Sequence, residues 1–584
     1  MSLLKKKHLA LGFLAAVATL GFPSIVVRAQ QQSFPPEVLA WADTVLYNGQ
    51  ILTVDDSFTI TEAVAIRDEK FLAVGTNERI RAMAGPKTRL IDLKGRTVVP
   101  GFIDTHHHFH NYAQRGLMPR ILFRTRQQWL RDIKRLVDVA EPGEWVILRA
   151  DRTVDQPWAQ SAFAMTRHDL DPISPNNPIF VWTSPPGNDA LVNAYALGLA
   201  NMPSDTPGLI RDPGTGEPNG VLEQAAYGTM FYEVIPRIPV EELMPLYKAA
   251  MKRFNAVGKV TIMGRNDGHT ISVFKALWER GELTIRFRVA HEFARNAYNP
   301  EALIKRVGNL SGFGDAWLKI AAANVGNPDG ALGNGRAWTR NPKLPDAGHA
   351  PDPNAPDFGF VPYFKDHEKS DWRTIPILNR YGWRILGIHT AGDRSIDELF
   401  SAFEVANQEK SLAGRGWAFD HSLMVRPEHI ATAKRLDLIA SANSGSIGSR
   451  TLIRLYGADE VYRLSPTKSL IDAGLRVVME APGDTDRPPL YHIERFVTRK
   501  DENGRVWNEA EKITREQALY MATNWAADYT GDEKILGTIE PGKLADWVII
   551  DGDYMRVPED EIGELKVVMT AVGGKIVFEA EGLF

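Results

Sequence analysis

The middle of the chain alternates between short apolar runs and longer segments in which apolar residues recur with a helical period. The apolar runs have the length and composition of buried strands, and they are Trp145–Leu148, Ile179–Trp182, Val260–Met263, Ile285–Val289, Trp317–Ala323, Arg384–Ile388, Trp417–Phe419 and Leu475–Met479. Helical periodicity over 241–257 and 395–408 separates some of them, and a further helix is predicted after Thr514, which stands at capping-box spacing from Gln517. Strands that alternate with helices predict an α/β fold, here a (β/α)8 TIM barrel over residues 100–530 with insertions.

Both ends of the chain consist of short extended runs separated by turns. The run at 44–54 surrounds Asn48-Gly49, a dipeptide whose positive φ is typical of tight antiparallel hairpins. Similar short extended runs separated by turns occur near the C-terminus. Two β-rich ends around a long middle predict one small discontinuous β-sandwich domain, formed by residues 30–99 and 531–584, with the two ends close in space.

One segment, at residues 324–364, interrupts the alternation of the middle region. It is rich in Gly, Pro, Asn and Asp, and it contains Trp338, Phe358, Phe360 and Tyr363. An insert of this length in a compact domain is either an active-site lid or a disordered excursion. The aromatic residues favour a lid, because they have no reason to stay in solvent.

The composition restricts the possible chemistry of the protein more than it restricts the possible folds. The chain has 584 residues, 44% of them hydrophobic, and a formal net charge of −4 with no internal basic run, so a nucleic-acid partner is not expected. It contains no cysteine. Disulfides, thiol nucleophiles and cysteine-ligated zinc are therefore excluded, and any metal must be held by histidine, carboxylate or modified lysine.

The N-terminus has the pattern of an export signal. Lys5, Lys6 and Lys7 precede an apolar run at 9–22, and Val27-Arg28-Ala29 places small residues where a signal peptidase cleaves. The run is short for a membrane span, although an uncleaved anchor is the alternative. We predict a signal peptide at 1–29, a secreted or periplasmic protein, and no stable membrane span after cleavage.

The strongest chemical signal is a group of histidines at predicted strand ends. His106 and His108 follow the run that ends at Asp104, and residues two apart on a strand face the same way. His389 ends the run 384–388, and His421 comes just after 417–419. Barrel enzymes keep their catalytic groups at the carboxyl ends of their strands, and neutral imidazole is a good ligand for zinc-like ions. A solvated histidine-rich loop is the alternative for the first pair, and a structural histidine is the plainer interpretation of His389 or His421 taken alone. Four strand-end histidines together favour a metal site.

These stretches resemble the amidohydrolase superfamily. Residues 100–108 (PGFIDTHHH) are similar to its first-strand signature, and residues 537–546 (GTIEPGKLAD) are similar to a hallmark of its two-ended β domain. More narrowly, the chain resembles the amidohydrolase family 3 branch that includes N-substituted formamide deformylases. The matching stretches are LDPISP at 170–175, ALVN at 190–193, GVLE at 220–223, DGALG at 329–333 and HTAGD at 389–393.

The resemblance covers nearly everything after the signal peptide. It implies a barrel, one or two divalent ions, with Zn²⁺ expected, and hydrolysis of an amide-like bond. The residues that match the metal-binding histidines of the family are His106, His108, His389 and His421.

Two departures from the family pattern leave the catalytic set open. The family usually has a bridging lysine before the DGALG stretch, where this chain offers either Asn324 or, with a shifted insertion, Lys319. The usual last-strand aspartate is replaced by Pro482.

The general base is thus open between Asp484, which we favour, and Glu480 or Glu223. The loss of the bridging lysine favours one metal ion over two.

The resulting hypothesis is a metal-dependent hydrolase that cleaves an amide-like C–N bond of a small substrate. We expect histidines to hold the ion, Asp484 to act as general base, and the remaining histidine, His421 or His389, to stabilise the developing oxyanion. The aromatic insert hints at an apolar or aromatic substrate. A lactonase, decarboxylase, lyase or redox metalloenzyme, and a degenerate small-molecule-binding barrel, are the alternatives. A homodimer is left open.

Overall fold

The structure is a computed structural model that describes residues 41–582, except 115, 123–124, 152–164, 185–189, 294–298, 327, 336, 345–372 and 484–486. The predicted signal peptide, most of the second half of the insert and Asp484 lie outside the described residues. Within the described ranges, no helix combines the length and the apolar character needed to span a bilayer.

The strands follow one another along the chain as β1 (Ala42–Tyr47), β2 (Gln50–Leu52), β3 (Ile60–Thr61), β4 (Ala63–Arg67), β5 (Lys70–Gly75), β6 (Ala84–Asp92), β7 (Thr97–Pro100), β8 (Phe102–Asp104), β9 (Arg120–Leu122), β10 (Val146–Asp151), β11 (Ile179–Ser184), β12 (Ala190–Val192), β13 (Leu209–Arg211), β14 (Pro218–Leu222), β15 (Lys259–Asn266), β16 (Arg286–His291), β17 (Phe313–Gly314), β18 (Leu318–Ala323), β19 (Ala418–Phe419), β20 (Ile439–Asn443), β21 (Val477–Glu480), β22 (Trp547–Ile550), β23 (Val567–Val572) and β24 (Lys575–Glu579).

The α-helices are α1 (Asn77–Arg81), α2 (Phe109–Ala113), α3 (Arg126–Val137), α4 (Arg167–Leu170), α5 (Ala194–Ala200), α6 (Gln224–Thr229), α7 (Val240–Asn255), α8 (Gly268–Glu279), α9 (Pro300–Val307), α10 (Thr374–Arg380), α11 (Asp393–Glu409), α12 (Pro427–Arg435), α13 (Arg450–Tyr456), α14 (Ala458–Arg463), α15 (Thr467–Asp472), α16 (Pro489–Thr498), α17 (Arg515–Ala522) and α18 (Asn524–Thr530). Helices α7, α11 and α17 correspond to the predicted periodic segments. The capping box of Thr514 and Gln517 is present at the start of α17.

Strands from both ends of the chain share one sheet. Its order is β24-β23-β22-β7-β2-β3, and β22 pairs antiparallel with β7, with Ile549 opposite Val98. A second sheet, β5-β4-β1-β6, lies against it, since side chains of both sheets, such as Leu46 and Trp547, belong to one buried apolar cluster.

The hairpin expected at Asn48-Gly49 is absent. Asn48 does adopt a positive φ of 57°, but the strands on either side of it pair in different sheets. Gly49 is required for another reason: a Cβ there would lie 2.4 Å from Cδ1 of Leu93. The dipeptide moves the chain from one sheet to the other.

The parallel strands form two groups with few hydrogen bonds between them. One sheet contains β8, β15, β16 and β18 side by side, and the other contains β19, β20 and β21. Single parallel bridges, Ala323 with Ile385 and His389 with Asp420, connect the two groups through the segment before His389. No strand ladder joins β21 to β8 in the described part of the chain, so a fully closed barrel stays a prediction.

Two of the runs predicted as barrel strands belong elsewhere. Trp145–Leu148 and Ile179–Trp182 do form strands, β10 and β11, but these pair with each other in a separate six-stranded sheet, β13-β14-β12-β11-β10-β9. This inserted sheet lies in the chain between β8 and β15. A buried apolar run has the same composition in either sheet, and so the sequence pattern does not identify its partner.

A buried ion pair connects the terminal sheet to the parallel strands. Arg286 at the start of β16 donates two hydrogen bonds, of 2.7 and 2.8 Å, to Asp546 just before β22. The side chains are 1% and 4% exposed, and the backbone N–H of Gly573 also donates to Asp546. The last residue of the GTIEPGKLAD stretch therefore holds two parts of the fold together.

We predict that Asp546→Ala destabilises the protein by about 3–5 kcal/mol, because Arg286 would stay buried without its counter-charge. The free energy of unfolding, measured by urea titration, tests this. The control is Asp138→Ala, which removes an exposed i,i+4 pair with Lys134 and is expected to cost less than about 0.5 kcal/mol. Equal losses in the two variants would contradict the prediction.

Candidate metal centre

The four predicted histidines lie at the carboxyl ends of parallel segments. His106 and His108 follow the end of β8 at Asp104, and His421 follows the end of β19. His389 pairs in parallel with Asp420, which brings its segment beside β19. Because carboxyl ends of parallel strands share one edge, residues far apart in the chain meet there.

These histidines contact one another in a row. The ring centres of His106 and His421 are 4.5 Å apart, those of His421 and His389 are 4.2 Å apart, and those of His106 and His108 are 5.4 Å apart. The ring of His107, between them in the chain, packs against the ring of Phe254, with 4.9 Å between the ring centres. The structure thus brings all four candidate ligands together.

Three of the histidines are each hydrogen-bonded through Nδ1 to a buried carboxylate. The pairs are His106 with Asp420 at 2.5 Å, His389 with Asp329 at 3.0 Å, and His421 with Glu480 at 2.7 Å. An imidazole that donates its Nδ1–H to a carboxylate keeps its lone pair on Nε2. This arrangement orients metal-binding histidines in many proteins.

The Nε2 atoms fit a bound cation. Those of His106 and His421 are buried, and neither has a hydrogen-bond partner in the part of the chain that the structure describes. Ligand atoms of these two residues and of Glu480 all lie within 4.8 Å of one another. Burying an unpartnered polar nitrogen is unfavourable, and a cation shared between such nitrogens removes the penalty.

Burial keeps most of the imidazoles neutral. It lowers the pKa of His106 and of His108 well below the usual range, and it lowers the pKa of His389 to about 4. In His421, burial alone would lower the pKa, but the Glu480 carboxylate raises it above its ordinary value. Burial, with the nearby Glu480, raises the pKa of Asp420 above its ordinary value. Neutral imidazoles are the form that binds metal.

Glu480 acts on His421 from the end of β21. It accepts hydrogen bonds from both the backbone N–H and Nδ1 of His421, at 2.8 and 2.7 Å. Ser441 and Asn443 donate to the same carboxylate. These contacts hold His421 at a φ of 69°, a conformation that a non-glycine residue adopts only when its surroundings impose it. With four donors around it, Glu480 is built to position His421.

Of the two residues that the resemblance offers for the family's bridging lysine, Asn324 and Lys319, only Asn324 lies at the carboxyl end of β18. This residue directly follows β18, and its amide donates to the carbonyl of Leu386 at 3.0 Å and accepts from the N–H of Gly326 at 2.8 Å. Lys319 lies near the opposite end of β18, where its Nζ binds Asp532 at 2.5 Å. The structure therefore places Lys319 away from the histidines.

Of the other two candidate bases, Glu223 lies in the described part of the chain and Asp484 does not. Glu223 follows β14 of the inserted sheet, at the start of α6. Asp484 lies outside the described residues. Of the three candidates, the structure places Glu480 beside the cluster.

Sequence reasoning missed three residues of the site. Asp420 directly precedes His421, so an acidic residue next to a predicted ligand was the available signal for it. For Asp329 the signal was its place at the start of the DGALG stretch, which matches the family. Arg265 gave none. It lies two residues after the run 260–263, and its Nη2 is 3.2 Å from Nε2 of His108.

A pocket of about 150 Å³ is connected to the four candidate histidines through Arg265. Arg265 lines it and also touches His108, so pocket and cluster are neighbours. The inserted sheet and the helical segment after it supply the aromatic wall, which consists of Trp182, Phe231 and Tyr232. The insertion thus forms one side of this pocket.

Solved structures share this fold. An uncharacterised metal-dependent hydrolase from Pyrococcus furiosus superposes with a TM-score of 0.64 at 21% identity, covering 88% of this chain and 100% of the other. The zinc complex of atrazine chlorohydrolase TrzN from Arthrobacter aurescens TC1 superposes with a TM-score of 0.51 at 13% identity, covering 92% and 96%.

Sequence comparison gives the family. The putative amidohydrolase YtcJ of Bacillus subtilis is 24% identical, over 92% of this chain and 99% of its own length. The N-substituted formamide deformylase of Arthrobacter pascens is 25% identical over the same shares. The model of the amidohydrolase family matches residues 89–578. With its clustered histidines and this match over most of its length, the chain belongs to the amidohydrolase family of metal-dependent hydrolases.

Proposed function

We propose that this protein hydrolyses an amide-like C–N bond in a small substrate with an apolar or aromatic group. The observation that carries the proposal is the pair of buried Nε2 atoms on His106 and His421, which have no hydrogen-bond partner among the described residues, together with an aromatic-walled pocket beyond Arg265. The relative from Arthrobacter pascens is a deformylase of N-substituted formamides. Its name and the pocket together support an N-substituted amide as the substrate class.

We propose that His106, His389 and His421 hold a divalent ion, with His108 as the fourth histidine of the set. Imidazole donors without cysteine suit Zn²⁺. When bound, such an ion lowers the pKa of water and polarises a carbonyl group. The carboxylates Asp420, Asp329 and Glu480 keep the three rings in the correct tautomer and orientation.

The chain's own residues would handle the proton and the substrate. In amide hydrolysis, water adds to the carbonyl carbon, the C–N bond breaks, and the amine leaves with a proton. Asp484 remains our proposed general base, because the oxygens of Glu480 already accept hydrogen bonds from His421, Ser441 and Asn443. Trp182 and Phe231 would bind the apolar substituent and exclude water from it.

We predict that His106→Ala loses both bound metal and hydrolytic activity, because a buried ligand nitrogen is removed. Metal content by elemental analysis and turnover are measured on the same preparation. The matched control is His168→Ala, which removes an exposed histidine of the inserted region and is expected to keep both. Full metal occupancy in His106→Ala would refute the assignment.

Chelation and a substrate panel test the reaction class. Wild-type protein stripped of metal is expected to lose activity and to regain it with Zn²⁺, since the ion supplies the activated water.

Among N-formyl and N-acyl amines, esters and lactones of equal size, we expect the amides with an aromatic substituent to react fastest. An enzyme that cleaves only the lactones or esters would contradict the C–N assignment.

We predict that Glu480→Gln weakens Zn²⁺ binding by about 10–100-fold without unfolding the protein, because the negative charge that orients His421 is lost while the shape is kept. Competition with a chromophoric chelator measures the Kd. Glu511→Gln is the control, since Glu511 is also buried but binds Ser469 instead of a histidine. Unchanged affinity in Glu480→Gln would argue against its positioning role.

A further inference from the structure

Arg265 introduces a fixed positive charge into the histidine cluster. It lies near the end of β15, it is 9% exposed, and its Nη2 is 3.2 Å from Nε2 of His108. That nitrogen is the one expected to face a metal if His108 were a ligand. An arginine is always protonated and only donates hydrogen bonds. The guanidinium of Arg265 therefore occupies the lone pair on Nε2 of His108 that a cation would need.

The fold leaves room for this arginine. Gly387, two residues before His389, has a φ of 73°, and a Cβ there would lie 3.0 Å from Cγ of Arg265 and 3.3 Å from Nδ2 of Asn324. Any larger residue at 387 would press on the arginine side chain. Gly387, in a backbone conformation that favours glycine, therefore lies at the point where the Arg265 side chain passes toward His108.

Two neighbouring metal ions would need an anionic ligand between them, and the residue expected to provide it, at the end of β18, is not an anion. Asn324 replaces the bridging lysine, and both polar atoms of its neutral amide are engaged, with Leu386 and with Gly326. Two divalent cations a few ångströms apart repel each other unless an anionic ligand lies between them. The end of β18 supplies none.

The charge of Arg265 lies beside the cluster because the side chain is bonded to His108. The lone pair on Nε2 of His108 accepts a hydrogen bond from the guanidinium, at 3.2 Å. Arg265 also lines the pocket, so its charge lies between the histidines and the substrate space.

We propose that the guanidinium of Arg265 takes the place of a second metal ion, so that the centre binds one ion on His106, His389 and His421 while His108 hydrogen-bonds to Arg265. This inference rests on the proposed function, because it assumes a metal centre. It makes Arg265 a positioning residue and gives His106 and His108 different roles, although they sit in the same motif.

Metal stoichiometry tests the proposal on the full-length protein. Wild type is stripped with chelator, incubated with excess Zn²⁺, separated from free metal and assayed by elemental analysis. We expect one ion per chain. Two ions per chain would overturn the role of Arg265 and leave the proposed hydrolase function intact, whereas no bound ion would defeat the proposed function itself.

Paired variants test the division of roles. We expect His108→Ala to keep its single ion with a Kd within about tenfold of wild type, while His106→Ala raises the Kd by at least about 100-fold. Loss of the ion in His108→Ala to the same extent as in His106→Ala would overturn the proposal. Thermal unfolding of each variant checks that it is folded.

The charge itself is tested by Arg265→Gln. Removing a positive charge beside the ion should tighten Zn²⁺ binding by at least about tenfold. The control is Arg237→Gln, since Arg237 also lines the pocket but pairs with Asp267 at 2.9 Å. An unchanged Kd in Arg265→Gln, or equal changes in both variants, would contradict the proposal. Should Arg265→Gln fail to fold, the stoichiometry of wild type and the result for His108→Ala still decide.

Discussion

Hydrogen bonds from the Nδ1 atoms of three histidines to buried carboxylates organise the centre of this protein. Each bond fixes the proton on one side of a ring and leaves the lone pair on the other. Asp420 and Glu480 do this for His106 and His421, whose Nε2 atoms are buried with no partner among the described residues. The cluster is therefore a preformed site for a cation, and the strained backbone at His421 is part of the cost of forming it.

The rest of the fold keeps the carboxyl ends of the parallel strands, which carry the histidines, in place and covers them. Parallel strands bring the histidines to one side, and the Arg286–Asp546 pair joins those strands to the sheet shared by the two chain ends. The insertion between β8 and β15 adds a separate sheet beside the cluster, and its Trp182 faces the pocket. Differences in such an insertion would change which substrates fit without altering the metal ligands.

Much of the site could be predicted from residues that are close in sequence. The set of four histidines just beyond apolar runs selected His389 and His421 together with His106 and His108, because the ends of parallel strands meet at one edge of such folds. The same logic failed for Trp145–Leu148, which forms a strand of the inserted sheet. Arg265 was missed because only its contact with His108, 157 positions away, reveals its role.

The sequence by itself determined the local features: the strand-forming runs, the capping box at Thr514 and the absence of cysteine, which left histidine as the expected ligand. These depend on propensity, period and residue chemistry within a few positions of chain. Tertiary structure decided which strands pair, that Lys319 binds Asp532 away from the cluster, and which carboxylate orients each histidine. Those outcomes are set by packing and electrostatics between segments distant in sequence, and no short stretch of residues encodes them.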